Sequence, residues 1–343
     1  MKRKHLLIII LTCGMAISSH TNIFGGMKKT GTTVAQFLKI QVGARAIGMG
    51  GAYVALANDA TSIYWNPAGL AQVGPHGSVT FAYNDWLADT KLSFAAAAIR
   101  AGSAGTFSLS FTSLSMPDMK VRDEFYPDGT GEYFSAGDLA MGVSYAKQIT
   151  DRFSLGVTGR YIRQQIWHTT ASAIAFDLGI LFRTDFDWLT LGMSISNFGP
   201  KMQFTGKDVF INYDFDPNQW GDSENIFANL QTDEWNLPLL FRFGLAMEVL
   251  NHDMSQLTAA IEARHPNDNT ESLSMGFEYG FMRRFFLRSG YQAMFEADSE
   301  KGVTFGVGIL YYLTPNMPLH FDYAYADWGR LLNTHRFSVE LGF

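Results

Sequence analysis

Apolar and polar residues alternate with a period of two along most of the chain after residue 77. In the stretch GVTFGVGIL, Val303, Phe305, Val307 and Ile309 take alternate positions, and small or polar residues stand between them. A period of two places one set of side chains on each face of a β-strand. The pattern therefore predicts an all-β protein whose strands each have one apolar and one polar face.

The same alternation predicts fourteen strands, most of them about 10 to 13 residues long. They cover approximately residues 77–86, 90–100, 103–114, 133–149, 153–167, 171–184, 188–197, 238–250, 254–265, 270–281, 284–295, 301–313, 318–327 and 333–343. A tilted strand needs about 9 to 11 residues to cross a bilayer, whereas strands of soluble proteins average about 5 to 6. We therefore predict a 14-stranded antiparallel transmembrane β-barrel over residues 77–343, in preference to a soluble β-sandwich.

The lengths of the connections support a barrel in the outer membrane. Short turns follow the even-numbered strands, and two long loops, over residues 115–132 and 198–237, follow odd-numbered strands. Outer-membrane barrels have short periplasmic turns and longer extracellular loops. Because the strand count is even, we expect both termini in the periplasm. The second long loop is either a solvated loop or a surface site for a partner or a divalent cation.

The start of the chain has the features of a secretory signal. Lys2, Arg3 and Lys4 precede an apolar segment over residues 6–17, which is too short to cross a bilayer as a helix. We assign residues 1–25 to a signal peptide. The single cysteine, Cys13, lies within this segment, so we expect no disulfide in the exported chain.

The composition agrees with an exported membrane protein. Hydrophobic residues make up 47% of the chain and charged residues only 17%, whereas soluble proteins carry about 25% charged residues. The net charge of −6 argues against nucleic acid as a partner. We expect a protein of the Gram-negative type of outer membrane that contacts lipid with its outer surface.

The sequence contains no recognisable catalytic pattern. The eight histidines are scattered and show no spacing typical of metal ligands. His320 and Asp322 share the polar face of one predicted strand, an arrangement that more often belongs to an interior hydrogen-bond network. We expect neither enzymatic activity nor a cofactor or bound metal.

Residues 26–76 precede the first strand and need a different explanation. A fourteen-stranded barrel encloses an interior that is either filled or open, and a segment of this length is a natural plug. Gly50 and Gly51 permit close backbone approach and unusual dihedral angles. Asn58 or Asp59 is a candidate cap for a short helix that begins near Ala60.

The stretch GARAIGMGGAYVALANDATSIYWNPAGLA, over residues 43–71, resembles the N-terminal signature of the FadL-like outer-membrane proteins. The lead-in GARAIGMGGAY resembles the PorV/PorQ branch of that family in particular. In the family, an Asn-Pro-Ala element lies in an N-terminal hatch inside a fourteen-stranded barrel. Asn66, Pro67 and Ala68 correspond to that element here, so the resemblance implies that residues 26–76 form such a hatch.

The resemblance implies two functions. Proteins of the PorV/PorQ type assist type IX secretion, so the expected partners are exported cargo proteins and a larger translocon. The wider family transports hydrophobic small molecules such as fatty acids and hydrocarbons. In that alternative, Met49, Tyr53, Tyr64 and Trp65 would line a ligand pocket. A general diffusion porin is a third possibility, against which the predicted plug argues.

Overall fold

Fourteen antiparallel strands form a closed barrel, as the alternation predicts. The structure, a computed structural model, describes residues 30–214, 226–296 and 299–343; the predicted signal peptide lies outside them. The barrel strands are β1 (Gly77–Asp85), β2 (Lys91–Arg100), β3 (Thr106–Ser115), β4 (Ala136–Thr150), β5 (Phe153–Ile166), β6 (Thr169–Arg183), β7 (Leu189–Phe198), β8 (Leu240–Asn251), β9 (Ser255–Pro266), β10 (Ser272–Phe281), β11 (Phe285–Met294), β12 (Val303–Thr314), β13 (Met317–Asp327) and β14 (Asn333–Gly342). Consecutive strands pair, and β14 pairs with β1 to close the ring, with Phe81 opposite Val339.

The strand bounds follow the sequence pattern to within a few residues, and the start of β4 shows why they differ. The pattern predicts a start at residue 133, but Tyr133 and Phe134 pair instead with Met119 and Lys120 in a small hairpin of the preceding loop. Tyr133 is 57% exposed. Aromatic residues concentrate near both surfaces of a membrane, so apolar alternation continues past the end of the transmembrane strand.

Apolar side chains project outward from the barrel, and small or polar ones project inward. In β12, Phe305, Val307 and Ile309 are 54%, 48% and 50% exposed, whereas Thr304 is buried. Exposure of apolar surface to water costs about 25 cal/mol per Å². This cost disappears when the outer face of the barrel contacts the hydrocarbon of a membrane. The alternation therefore identifies the outer surface as the one that contacts lipid.

The two rims of the barrel differ in the length of their connections. The long connections, over residues 116–135 and 199–239, follow β3 and β7; we call this side the long-loop rim. The opposite side, with Gly77 at the start of β1 and Phe343 at the chain end, is the short-turn rim. In the second long connection, Phe210–Tyr213 pairs with Ile226–Asn229. Residues 215–225, which include part of the possible partner or cation site, lie outside the described residues.

The N-terminal segment, residues 30–76, contains only short helical elements. They are a 3-10 helix over Gln36–Lys39, α1 (Ala44–Gly48), α2 (Ser62–Trp65) and a 3-10 helix over Pro67–Gln72. Most of the segment is buried against inward-facing groups of the barrel. For example, the Ala44 amide donates to Ser338 Oγ of β14 at 3.1 Å, and Ser194 Oγ of β7 donates to the Trp65 carbonyl at 3.0 Å. Within the described residues, no helix is long and apolar enough to cross a membrane.

Candidate functional site

The side chain of Asn66 joins the N-terminal segment to the barrel wall. Asn66 is fully buried and extended, and it ends α2 immediately before Pro67. Its Oδ1 accepts a hydrogen bond from the Ala68 amide at 3.1 Å. Its Nδ2 donates to the carbonyl oxygens of Val54 at 2.8 Å and of Ile180, in β6, at 2.9 Å. One amide group therefore holds two parts of the segment against one strand.

Two glycines of the wall let the segment approach this closely. A Cβ at Gly179 of β6 would overlap the Asn66 side chain, and a Cβ at Gly156 of β5 would overlap the backbone of Pro67. Glycine in a strand often marks such an approach of a second backbone. The predicted motif of Asn66, Pro67 and Ala68 thus meets a complementary surface on the barrel, although its role as a hatch element stays a prediction.

Gly50 and Gly51 form a second close approach, on the other side of the barrel. Their φ angles are +66° and +71°, in the left-handed region that favours glycine. The Gly50 amide donates to Thr304 Oγ1 of β12 at 3.1 Å. A Cβ at Gly50 would overlap the carbonyl oxygen of Met275 in β10, so both the backbone and the available space favour glycine at this position.

Asp59 stabilises a turn before α2 and does not cap the helix directly. Its Oδ1 accepts hydrogen bonds from the amide and hydroxyl of Thr61, and its Oδ2 accepts one from the Tyr53 hydroxyl at 2.8 Å. The helix begins at Ser62, two residues after the predicted start near Ala60. The difference arises because an aspartate can bind the amide two residues ahead and hold the chain in a turn.

Three of the four residues expected to line a ligand pocket lie together. The rings of Tyr53 and Tyr64 contact Trp65 edge-on, with centroid distances of 5.8 and 5.2 Å. The guanidinium of Arg242, in β8, lies over the rings of Tyr64 and Trp65 at 5.2 and 5.4 Å. Trp65 Nε1 donates to the Val42 carbonyl at 3.0 Å. These rings are packed and buried, with at most 6% exposure.

Met49 lies apart from these rings. It packs with Ala52 of the same segment and with Ala246 and Ala260 of the wall, in a separate small apolar cluster. Neither Met49 nor the three aromatic residues lines the cavity described below. A ligand-binding role for the four residues stays a prediction.

A buried carboxylate from the wall binds the backbone of the segment. Glu262 of β9 has no exposed surface, and its Oε2 accepts hydrogen bonds from the amides of Tyr53 and Val54, both at 2.9 Å. Its Oε1 pairs with Arg264 Nε at 2.9 Å and faces Arg242 Nε at 3.8 Å. A buried charge is tolerated when it is paired and hydrogen-bonded, and both conditions are met here.

A second ionic network crosses from the segment to three strands. Arg45 of α1 pairs with Glu278 of β10 at 2.9 Å. Glu278 also pairs with Arg288 of β11 at 2.6 Å, and Arg288 pairs with Asp322 of β13 at 2.5 Å. The three charges of the wall lie on the inward, polar faces of their strands, and they connect α1 to the wall.

A cavity of about 570 Å³ opens at the long-loop rim, and we call it the mouth pocket. Its volume lies in the usual range of about 300–1,000 Å³ for ligand sites. Most of its lining is apolar and comes from the start of the N-terminal segment and from strand ends and loops of this rim. The main apolar residues are Phe37, Ile40, Trp86, Leu114, Phe204 and Trp328.

Four cationic side chains also line the mouth pocket, and three of them have carboxylate partners. The pairs are Lys39 with Asp268 at 2.8 Å, Arg264 with Glu262 at 2.9 Å, and Lys301 with Glu296 at 3.1 Å. The fourth is Arg336, in β14, whose Nη1 donates to the Gln41 carbonyl at 3.1 Å. The pocket therefore combines an apolar surface with three paired cations, the Arg336 guanidinium and the carboxylate of Asp138.

The pKa values of two groups near the pocket follow from their surroundings. Burial lowers the pKa of Lys301, against the opposing effect of Glu296. Burial alone would raise the pKa of Asp268, but hydrogen bonds from Gln36, Lys39 and Thr33 outweigh it and lower that pKa. Asp268 is therefore anionic at neutral pH and ties the start of the segment to the loop between β9 and β10.

Sequence reasoning did not identify the mouth pocket. Its aromatic residues lie in different loops, and no local motif connects Trp86 with Phe204 or Trp328. Arg336 could have been assigned to the interior, because it lies two residues before Ser338 and shares the inward face of β14 with it. In the described parts of the chain, no group of three or more acidic, histidine or cysteine side chains is arranged to hold a metal ion.

A family match covers more than half of the chain. Residues 26–218 match the model of the family described as "Type IX secretion system protein PorV". The chain belongs to the PorV family. The matched region contains the described N-terminal segment and the first seven barrel strands. The family is one of type IX secretion, and the fold is that of an outer-membrane barrel.

Solved structures share the barrel fold with this PorV-family chain at low sequence identity. The CymD monoaromatic hydrocarbon channel has a TM-score of 0.55 and 14% identity, over 89% of this chain and 98% of that one. A Pseudomonas aeruginosa FadL homologue has a TM-score of 0.53 and 11% identity, over 89% of this chain and 98% of that one. The Pseudomonas putida toluene transporter TodX has a TM-score of 0.53 and 11% identity, over 86% of this chain and 95% of that one. A comparison with curated protein sequences finds no match.

Proposed function

We propose that this outer-membrane barrel assists type IX secretion by binding an exported polypeptide or a translocon subunit at the mouth pocket. The observation that carries the proposal is an apolar pocket that opens at the long-loop rim and is lined in part by the start of the N-terminal segment. Apolar aromatic surface is typical of sites that bind protein segments. The ion pairs that hold the segment to the wall favour recognition at this pocket over the passage of a solute.

We propose further that residues 26–76 act as a hatch, held by Asn66, Pro67 and Ala68. Support comes from the hydrogen bonds between Asn66 and the wall and from the ion pairs of Glu262 and Glu278. To move the hatch, a solute would have to break buried ion pairs, and the loss of one partner of such a pair costs about 3–5 kcal/mol. These interactions favour a barrel that remains closed.

We propose that both termini lie in the periplasm and that the mouth pocket faces the exterior of the cell. Gly77 and Phe343 are on the short-turn rim, which is the periplasmic side of outer-membrane barrels. The pocket lies at the opposite rim, where a polypeptide that emerges at the cell surface would meet it. Outer-membrane lipid surrounds the apolar outer face.

The alternative proposal is transport of hydrophobic small molecules, such as fatty acids or hydrocarbons. It draws support from the shared fold with proteins named as a hydrocarbon channel and a toluene transporter, and from the apolar lining of the mouth pocket. Transport would require the cluster of Tyr53, Tyr64 and Trp65, or the region of Met49, to open into a pathway. The buried ionic networks oppose this alternative.

Affinity purification tests the proposed function. The tagged protein would be expressed in a bacterium that has type IX secretion, cross-linked in intact cells, and purified from membranes. We expect translocon components or secreted cargo to co-purify, and replacement of Trp86 and Trp328 together by alanine to reduce their recovery. Trp188→Ala, which alters a partly buried tryptophan at the short-turn rim, is the matched control and should leave recovery unchanged.

Two outcomes would contradict the proposal. One is the recovery of neither secretion components nor cargo. The other is an equal loss in the mouth variant and in Trp188→Ala, which would indicate a folding defect and no specific role for the pocket. Uptake of radiolabelled toluene or dodecane by cells that express the protein, with recovery of no secretion partner, would favour transport instead.

A further inference from the structure

Arg336 is a buried cation for which the described part of the chain supplies no anionic partner. It is 3% exposed and lines the mouth pocket. Its Nη1 donates to the Gln41 carbonyl, but its Nε has no hydrogen-bond acceptor. Among the residues that the structure describes, no carboxylate forms an ion pair with it. Buried arginines are normally paired, so this one is an exception that needs an explanation.

The neighbours of Arg336 make the same surface rich in unused donors. The Trp86 ring lies 5.3 Å from the guanidinium carbon, a distance at which a cation and an aromatic face attract each other. Trp328, across the pocket lining, has a buried Nε1 that also lacks an acceptor. Lys301 Nζ lies 5.9 Å from the Trp328 ring. Two buried donors without acceptors, on Arg336 and Trp328, favour a ligand with acceptor groups, and the charge of Arg336 favours an anion.

We propose that the mouth pocket binds a polypeptide through a carboxylate that pairs with Arg336, while apolar side chains of the same polypeptide contact Trp86 and Trp328. The inference rests on the proposed function, because it takes a polypeptide as the occupant and specifies its chemistry. The carboxylate is the C-terminus of a chain whose last residues are apolar. A fatty acid offers the same chemistry from another source, so the experiment separates the two.

The chemistry of the pocket supports a carboxylate over a neutral ligand. A guanidinium presents parallel N–H donors that match the two oxygens of a carboxylate, and such charge-assisted bonds are shorter and stronger than neutral ones. The other cations of the pocket already have partners, which leaves Arg336 as the group that a ligand would neutralise. The apolar lining then accommodates the side chains that flank the carboxylate.

Fluorescence anisotropy with purified, detergent-solubilised protein tests the inference. The probe is the hexapeptide Gly-Ser-Gly-Leu-Val-Phe with an N-terminal coumarin, made either as the free acid or as the C-terminal amide. We expect the acid to bind about tenfold more tightly than the amide, because a charge-assisted hydrogen bond is lost in the amide. Arg336→Met should abolish this preference, and Arg336→Lys should retain part of it.

Arg100→Met provides the matched control. Like Arg336, Arg100 donates Nη1 to a carbonyl of the N-terminal segment, that of Val73 at 3.2 Å, but it lies at the opposite rim. This variant should keep the full preference for the acid. Equal binding of acid and amide by the unaltered protein would overturn the inference, and this comparison requires no variant to fold. A preference that persists in Arg336→Met would also overturn it.

A third arm distinguishes the source of the carboxylate. Decanoate that binds tightly, with no measurable binding of either peptide, would overturn the inference in favour of a small-molecule site. The proposed function fails separately, if no secretion partner co-purifies. Recovery of partners without any preference for the peptide acid would overturn only the role of Arg336.

Discussion

Asn66→Ala should release the N-terminal segment from the wall while the barrel strands stay folded. The substitution removes one acceptor and two donors, and it leaves the Ala68 amide and the carbonyls of Val54 and Ile180 without these partners in a buried site. Each such orphaned group costs about 1–3 kcal/mol. Because alanine no longer buries a polar amide, we take the lower part of the summed range, about 3 kcal/mol.

Hydrogen–deuterium exchange measures this loss locally. At about 1.4 kcal/mol per factor of ten, a loss of about 3 kcal/mol predicts exchange about 100-fold faster in the peptide that covers residues 62–72. Peptides from β10 to β12 should exchange at their original rate. Asn58→Ala is the control, because Asn58 is exposed and accepts one hydrogen bond, from Arg45. Unchanged protection in Asn66→Ala, or equal loss in both variants, would refute the reasoning.

Three further variants test other parts of the interface. Gly179→Ala should reduce the yield of folded barrel in a heat-modifiability gel, because its Cβ would overlap Asn66, whereas Gly159→Ala, with no neighbouring atom closer than 3.9 Å to the added Cβ, should fold normally. Glu262→Gln should lower the thermal midpoint and cost about 3 kcal/mol, since it leaves buried arginines underpaired; an unchanged midpoint would contradict this. The carboxylate of Asp268 has a lowered pKa, so its stabilisation is present above its unfolded pKa and is lost as the pH falls through the folded value. Proteolysis of residues 33–39 should therefore increase in acid, and Asp268→Asn should remove that pH dependence.

The sequence was sufficient to predict the barrel because its governing signal is local. Each strand carries its own alternation, and a lipid-facing residue such as Phe305 needs no knowledge of distant partners. The closing pair of β1 and β14 follows from the strand count and the need to leave no exposed edge. The predicted start of β4 was wrong because Tyr133 and Phe134 continue the alternation into a loop. There, pairing with Met119 and Lys120 satisfies their backbone hydrogen-bonding groups.

The interior was harder to predict, because it depends on long-range pairing. The extended Asn66 before Pro67 follows from local sterics, but its hydrogen bond to Ile180 joins residues that are far apart in the chain. The same is true of the mouth pocket, whose parts come from separate loops. The pairing of β1 with β14 sets Asn84 opposite Arg336 and so brings Trp86 near that guanidinium, although the two residues lie near opposite ends of the chain.

The attachments of the N-terminal segment have a consequence for biogenesis. The segment is hydrogen-bonded to Ile180 on one side of the ring and to Glu262 and Ser338 on others, and it also contacts wall glycines at which a Cβ would not fit. A finished cylinder offers no route by which the segment could be threaded lengthwise into these attachments. We therefore expect the strands to curl around it while the sheet is still open, with the β1–β14 seam joining last.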